Sequence, residues 1–174
     1  MPVGPERQET TRLICERLHP DHAAEMSQLL LDPRVARTLW PWPEPQTEAD
    51  VRSGLASKID HWERHGFGLW LLRDRSTGTI VGRGGLQHTY AAGLDRVEVA
   101  WAIMPARWGQ GLATELALTA VEVGFRDLEL NEVVALTLPD NIASRRVMEK
   151  AGFSYERDIE YVDLPHMLYR RLAD

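Results

Sequence analysis

The stretch Glu98-Val-Ala-Trp-Ala-Ile-Met-Pro-Ala-Arg-Trp-Gly-Gln-Gly-Leu-Ala-Thr-Glu115 changes its periodicity halfway along, and that change decides the fold. Up to Met104 the residues alternate. Val97, Val99, Trp101 and Ile103 share one face, while Glu98, Ala100, Ala102 and Met104 share the other, as in a strand. Beyond Pro105 the spacing turns helical, with Thr114, Glu115, Thr119, Glu122 and Arg126 marking one wet face among mostly apolar positions. Gly109 and Gly111 stand where this helix begins. Unpaired N–H groups and about half a unit of positive charge gather at a helix start, so small residues there admit an anion to the backbone. A plain tight turn accounts for Gly-x-Gly equally well.

Two nucleotide-binding arrangements fail on spacing. A P-loop requires Gly-Lys-Ser/Thr, and neither glycine precedes a lysine. A dinucleotide fingerprint requires a third small residue where Thr114 stands, within alternating parallel βαβ units that the preceding strands do not supply. On the strand, one carboxylate beside two alanines describes either a shallow channel ending at Glu98 or a glutamate on an exposed sheet face.

Upstream, residues 67–73 and 79–87 flank the polar turn Asp74-Arg-Ser-Thr-Gly78, a hairpin signature. Thr47 and Asp50 form a short version of a capping box, predicting a helix that runs to about His65 and stops at Gly66. Leu39-Trp-Pro-Trp-Pro-Glu-Pro45, with prolines in alternate positions, is a rigid loop. Its Trp40 and Trp42 suit either the lining of an amine site or packing on the sheet. Earlier still, residues 11–18 read as a strand. A helix capped by Asp21 follows, with Ala24, Met26, Leu29 and Leu30 as its stripe, and ends near Asp32-Pro33.

Downstream, Val133-Val-Ala-Leu-Thr137 is a short apolar strand, 141–150 a helix closed by Gly152, and two strands near 154–161 and 166–172 finish the chain. The expected architecture is a single α+β domain over residues 11–174, behind a polar lead of residues 1–10. A central, mostly antiparallel mixed sheet of about seven strands is flanked by about four helices.

The 174 residues, 44% hydrophobic and 26% charged, fit one globular domain. A net charge of −6 argues against a nucleic-acid surface and for a cationic or amine-bearing partner. The single cysteine, Cys15, sits in a strand and reads as a buried thiol. No run approaches the ~20 apolar residues of a membrane span, and the opening residues lack a signal-peptide core, so a cytoplasmic location and no membrane partner are expected. His61 and His65 stand four apart on a helix, a spacing suited to a metal. No third ligand has a recognisable place beside them, so no metal is expected. His166, at the start of the last strand, reads as structural.

The helix opening Asn141-Ile-Ala-Ser-Arg-Arg146 carries two cations in its first turn, against the dipole. Either an anion offsets them or Arg145 pairs with Glu149. Ser144, Met148 and Ala151 share a face of that helix.

Three segments, Glu98-Val-Ala-Trp-Ala-Ile103, Arg107-Trp-Gly-Gln-Gly-Leu-Ala-Thr-Glu115 and Val134 through Asn141-Ile-Ala-Ser to Gly152-Phe153, closely resemble the GNAT N-acetyltransferase superfamily. The resemblance is to the branch of ribosomal-protein N-terminal (alanine) acetyltransferases, and it includes Thr11-Arg-Leu-Ile-Cys-Glu-Arg-Leu18 and the proline-tryptophan loop. It implies acetyl-coenzyme A as cosubstrate. The pyrophosphate would lie on Trp108, Gly109, Gln110, Gly111, Leu112 and Ala113, with Trp108 departing from the family's usual first residue. Ile103 and Met104 would offer backbone groups to the pantetheine arm and Asn141 a side-chain hydrogen bond; the first-turn cation Arg145, read from the helix dipole rather than from the resemblance, is added as a candidate for the cosubstrate's anionic groups. Glu98 matches a glutamate that takes the ammonium proton. Many relatives place a tyrosine acid where this chain has Met148, which leaves Ser144 as the nearest hydroxyl for the leaving thiolate. The implied acceptor is a primary amine, either the α-amine of a peptide N-terminus or a small molecule such as a polyamine, amino acid or aminoglycoside. A coenzyme A-binding module without catalysis is the rival, and a homodimer is left open.

Overall fold

The computed structural model describes residues 1–39, 42 and 44–174. In chain order the elements are β1 (Arg7–Glu9), β2 (Leu13–Arg17), α1 (Ala23–Leu30), α2 (Pro33–Leu39), α3 (Glu48–His65), β3 (Leu69–Asp74), β4 (Ile80–Ala91), β5 (Leu94–Ile103), α4 (Leu112–Arg126), β6 (Glu132–Thr137), α5 (Ile142–Lys150), β7 (Ser154–Tyr161) and β8 (Leu164–Leu172). The strands form one sheet in the order β1-β2-β3-β4-β5-β6-β8-β7, antiparallel except where β6 joins β5. The α+β architecture agrees with the sequence reading, with one more strand and one more helix.

Both additions have local causes. β1 lies in what the sequence offers as a polar lead; it is three residues long and pairs Arg7–Glu9 with Glu16–Ile14 of β2. Helix α2 starts at Pro33, the residue read as a stop. Proline suits a first helical position because its missing N–H has no helical partner there. Asp32 accepts the Arg34 N–H at 2.9 Å through Oδ1, so Asp32-Pro33 ends one helix and begins the next. The capping box of α3 forms despite the short aspartate. The Asp50 N–H donates to Thr47 Oγ1 at 3.2 Å and the Thr47 N–H donates to Asp50 Oδ2 at 2.7 Å, while Gly66 closes the helix at φ 70°.

The sheet is buried on both faces. Trp70 and Leu72 of β3 join Val97, Val99 and Ile103 of β5 in the cluster that includes Leu112, Leu116 and Ala120 of α4. Leu69 and Leu71 turn the other way, against Met26 of α1 and Val51 and Leu55 of α3. Cys15 is fully buried, and burial pushes its thiol up to about 12, the inert thiol expected. Helix α4 comes so near β4 that a Cβ on Gly84 would stand 2.0 Å from Leu116 Cδ2. No helix among the described residues is long and apolar enough to cross a membrane.

The parallel ladder between β5 and β6 is a single pair, Glu98↔Val134. Past it the two strands run on without pairing to each other, to Ile103 and Thr137, each still held by its other neighbour. The sheet is split at the C-terminal ends of its two parallel strands, where the turn into α4 also lies.

Candidate active site

Glu98 sits at the root of this split. It is 7% exposed and lines a cavity of about 340 Å³ under α1, α2 and α3, which excludes the exposed-face alternative. Gln87, directly opposite on β4, donates its Nε2 to Glu98 Oε1, and its Oε1 accepts from Lys58 Nζ of α3 at 2.6 Å. Burial pushes the Glu98 carboxyl above the usual carboxylate range, against the opposing pull of Gln87, Lys58 and Arg83. Burial, and next the Arg83 charge, push Lys58 downward. Arg83 lies two strand positions before Gly85 on the same β4 face as Gln87 and also lines the cavity. Arg83 is half-buried and its guanidinium has no hydrogen-bond or ion-pair partner among the described residues; burial lowers its pKa, against the opposing pull of the Glu98 charge.

Helix α5 supplies the opposite wall. Asn141 Oδ1 accepts the Ser144 N–H at 3.1 Å as the N-cap of α5, and both residues line the cavity. Ser144 thus lines the same cavity as Glu98, while Met148, one turn on, is sealed in the core at 1% exposure. Arg145 forms no ion pair with Glu149. Its Nη1 donates to the Pro139 carbonyl at 3.3 Å and its Nε to the Tyr169 hydroxyl at 3.4 Å, so its donors point away from the cavity lining.

At the end of β5 a short 3₁₀ turn (Pro105–Arg107) leads into the glycine turn. Gly109 and Gly111 both take left-handed geometry, φ 73° and 78°, which residues with a Cβ enter at a cost. Gly111 is the N-cap of α4 and offers no side chain, so no side chain caps the first N–H groups of the helix. Two arginines brace the turn. Arg12 Nη1 donates to the Gln110 carbonyl at 2.6 Å, and Arg107 Nε donates to Gln110 Oε1 at 3.1 Å. Both are already paired, with Glu115 and Asp74. Leu112 is buried in the α4 core and Ala113 packs beside it.

The indole of Trp108, the departure from the family pattern, donates to the Ile103 carbonyl at 2.8 Å. The Met104 N–H donates to the Val81 carbonyl, and the Met104 carbonyl accepts from Arg107 N–H, each at 2.8 Å. Three of the backbone groups that Ile103 and Met104 were expected to offer therefore have partners within the chain.

Trp40 lies outside the described residues. Trp42 is half-buried, and the flanks of its loop, Thr38, Leu39 and Gln46, line the cavity. Sequence reasoning missed Lys58, Arg83, Gln87 and Tyr161. His166, read as structural, stacks edge-on against Tyr161 with ring centroids 5.3 Å apart, and both line the cavity. The Tyr161 hydroxyl shares a 3.0 Å hydrogen bond with Thr89 Oγ1.

The pair His61 and His65 does meet a third histidine. Strand β4 brings in His88, and ligand atoms of the three lie within 4.8 Å of one another. His61 Nδ1 meets the Phe67 carbonyl at 2.9 Å and His61 Nε2 accepts the His88 N–H at 3.0 Å, so neither ring nitrogen keeps a free lone pair for a metal. Burial, with repulsion from His65 and His88, pushes His61 down to about 4. The unfolded chain, with an ordinary imidazole near 6.5, takes up the proton first. Stability is therefore expected to fall as pH drops from about 6.5 to about 4. Denaturant midpoints measured across that window should fall less steeply in His61→Gln than in the parent, and equal slopes would remove His61 as the cause.

Comparison with known proteins supplies the family. The model for the acetyltransferase (GNAT) domain matches residues 12–154. A putative GnaT-family acetyltransferase from Bordetella pertussis superposes with a TM-score of 0.82 at 24% identity, covering 96% of this chain and 99% of that one. A ribosomal L7/L12 alpha-N-protein acetyltransferase in complex with coenzyme A gives 0.76 at 16% identity, covering 98% and 97%. At these identities the likeness is one of fold. The FsC-acetyl coenzyme A-N(2)-transacetylase of Aspergillus fumigatus is 30% identical over 158 residues, 84% of this chain and 64% of the relative. The chain spans less than two thirds of several of the curated relatives it matches, with 62%, 49% and 37% of three Bacillus subtilis proteins covered. The family match over most of the chain, on a sheet parted beside an uncapped helix start, means that this protein belongs to the acetyltransferase (GNAT) family.

Proposed function

We propose that the chain transfers the acetyl group of acetyl-coenzyme A to a primary amine by direct attack. One observation carries this reading: Glu98 of β5 and Ser144 of α5, a base and a hydroxyl from distant segments, face the same cavity where the parallel strands part. The pyrophosphate rests on the 109–113 turn, held by backbone N–H groups, and the thioester reaches between β5 and β6. The Ile103 N–H, which is not among the partnered backbone groups of Ile103 and Met104, is the donor to the oxyanion.

The acceptor enters as an ammonium ion, and Glu98 takes one proton to free the nitrogen lone pair. Nitrogen attacks the thioester carbonyl carbon, the tetrahedral adduct collapses, and the C–S bond breaks. The remaining ammonium proton passes to the thiolate through the Ser144 hydroxyl, and Glu98 later returns its own proton to water. A raised carboxyl pKa suits this work, since a base is most effective when its pKa is close to the working pH.

Free-thiol release with acetyl-coenzyme A across N-terminal peptides, small amines and polyamines tests the reading. Tight cosubstrate binding with no thiol release from any amine would identify a binding module instead. Ser144→Ala is expected to lower kcat about 10- to 100-fold, the worth of a hydrogen bond to a charged atom, with little change in cosubstrate affinity. If Tyr161→Phe abolishes turnover and Ser144→Ala does not, the proton reaches sulfur from the tyrosine.

A further inference from the structure

Where β4, β5 and α3 line it, the cavity carries more positive than negative charge. Arg83 and Lys58 stand against the single carboxylate of Glu98 there. Asp50, the other acid on the lining, is exposed and already accepts from Thr47 N–H and Oγ1 in the α3 capping box. Lys58 spends a donor on Gln87, whereas the Arg83 guanidinium has no partner among the described residues. Arg83 is half-buried, and guanidinium donors form a planar fork that fits a carboxylate with two parallel hydrogen bonds. The whole chain carries −6, so the sign inside this cavity is not inherited from the surface.

We propose that the acceptor is a primary amine that also bears a carboxylate, bound by Arg83 with support from Lys58, while its amine faces Glu98. This rests on the acetyl-transfer reading and narrows it. A polyamine or an aminoglycoside would bring further positive charge against Arg83 and Lys58, and is a poor acceptor. Arg83 pairs across the ladder with Ala102, whereas Glu98 pairs with Gln87, four residues further along β4. At about 3.3 Å per residue the two ends of the site are roughly 13 Å apart along the backbone, before the long arginine side chain reaches back. The acceptor's amine and carboxylate are therefore separated by several bonds, as in an ω-amino acid or a short peptide with a free C-terminus. The cavity volume of about 340 Å³ accommodates molecules of that size.

The test uses ω-amino acids of increasing chain length, each beside its methyl ester, with O-phosphoethanolamine as a phosphate-bearing amine and spermidine as a cationic one. Thiol release should favour acid over ester about 10- to 100-fold in kcat/KM, the range for a hydrogen-bonded charge. Arg83→Met should bring that ratio close to one, and Arg83→Lys should restore part of it. A ratio near one in the parent protein overturns the proposal, as does a preference for spermidine or for O-phosphoethanolamine. Calorimetry of the same acid and ester pairs on the coenzyme A-saturated protein separates the two readings. Acid-selective binding that Arg83→Met abolishes, without turnover, keeps the carboxylate site and removes the transferase. Turnover without acid selectivity does the reverse. Lys58→Met, which leaves Arg83 in place, should lower the acid-to-ester ratio in part, and an unchanged ratio would remove Lys58 from the site.

Discussion

Glu98→Gln is expected to lower kcat about 10²- to 10⁴-fold, the range for removing a positioned general base. The substitution keeps size and hydrogen-bonding capacity opposite Gln87 but cannot accept a proton. Because burial raises the Glu98 pKa, the acid limb of the parent's kcat profile should lie at higher pH than an ordinary carboxylate would give. In the variant that limb should disappear. A profile with the same limb in both proteins would assign the base elsewhere. Loss of fold is not an alternative explanation. A carboxylate whose pKa rises on folding weakens the folded state when ionised, so the variant should unfold at no lower denaturant concentration at neutral pH.

The second large effect is on stability. Leu116→Ala is expected to cost about 2–5 kcal/mol, the range for emptying a fully buried leucine site. Leu116 fills the space over Gly84, where the helix behind the glycine turn lies against β4. Urea unfolding should show a lower midpoint with an unchanged slope. The reverse change, Gly84→Ala, puts a Cβ 2.0 Å from Leu116 Cδ2 and 2.8 Å from the Ala100 carbonyl oxygen, so it should destabilise by overpacking. Making both changes should cost less than their sum, since the smaller side chain removes the first clash and leaves the second. Strict additivity would show that the two positions do not share this contact.

The agreement between sequence and structure follows how far each signal reaches along the chain. The α3 capping box, the glycine stop at Gly66 and the left-handed pair Gly109 and Gly111 are set by bonds and sterics within about four residues. Those features were readable at their own positions. The exit of α1 at Asp32-Pro33 was visible, but the same residues also open α2, and a stop and a start leave one local mark. Strand β1 has no apolar alternation to announce it, because one strand beside it, β2, supplies its pairing.

The site divides in the same way. Glu98, Ser144 and the turn into α4 could be named because they stand in recognisable stretches, and alternation already placed Glu98 apart from the α4-facing residues. Residues 58, 83 and 98 come to line one cavity only when α3 lies across β4 and β5, so neither spacing nor net charge foretells two cations and one carboxylate there. The third histidine beside His61 and His65 comes from β4 for the same reason. Hydrogen bonds and backbone geometry act between neighbours and leave their mark in the order of residues. Burial and unpaired charge depend on what distant segments bring together, and that is settled only by packing.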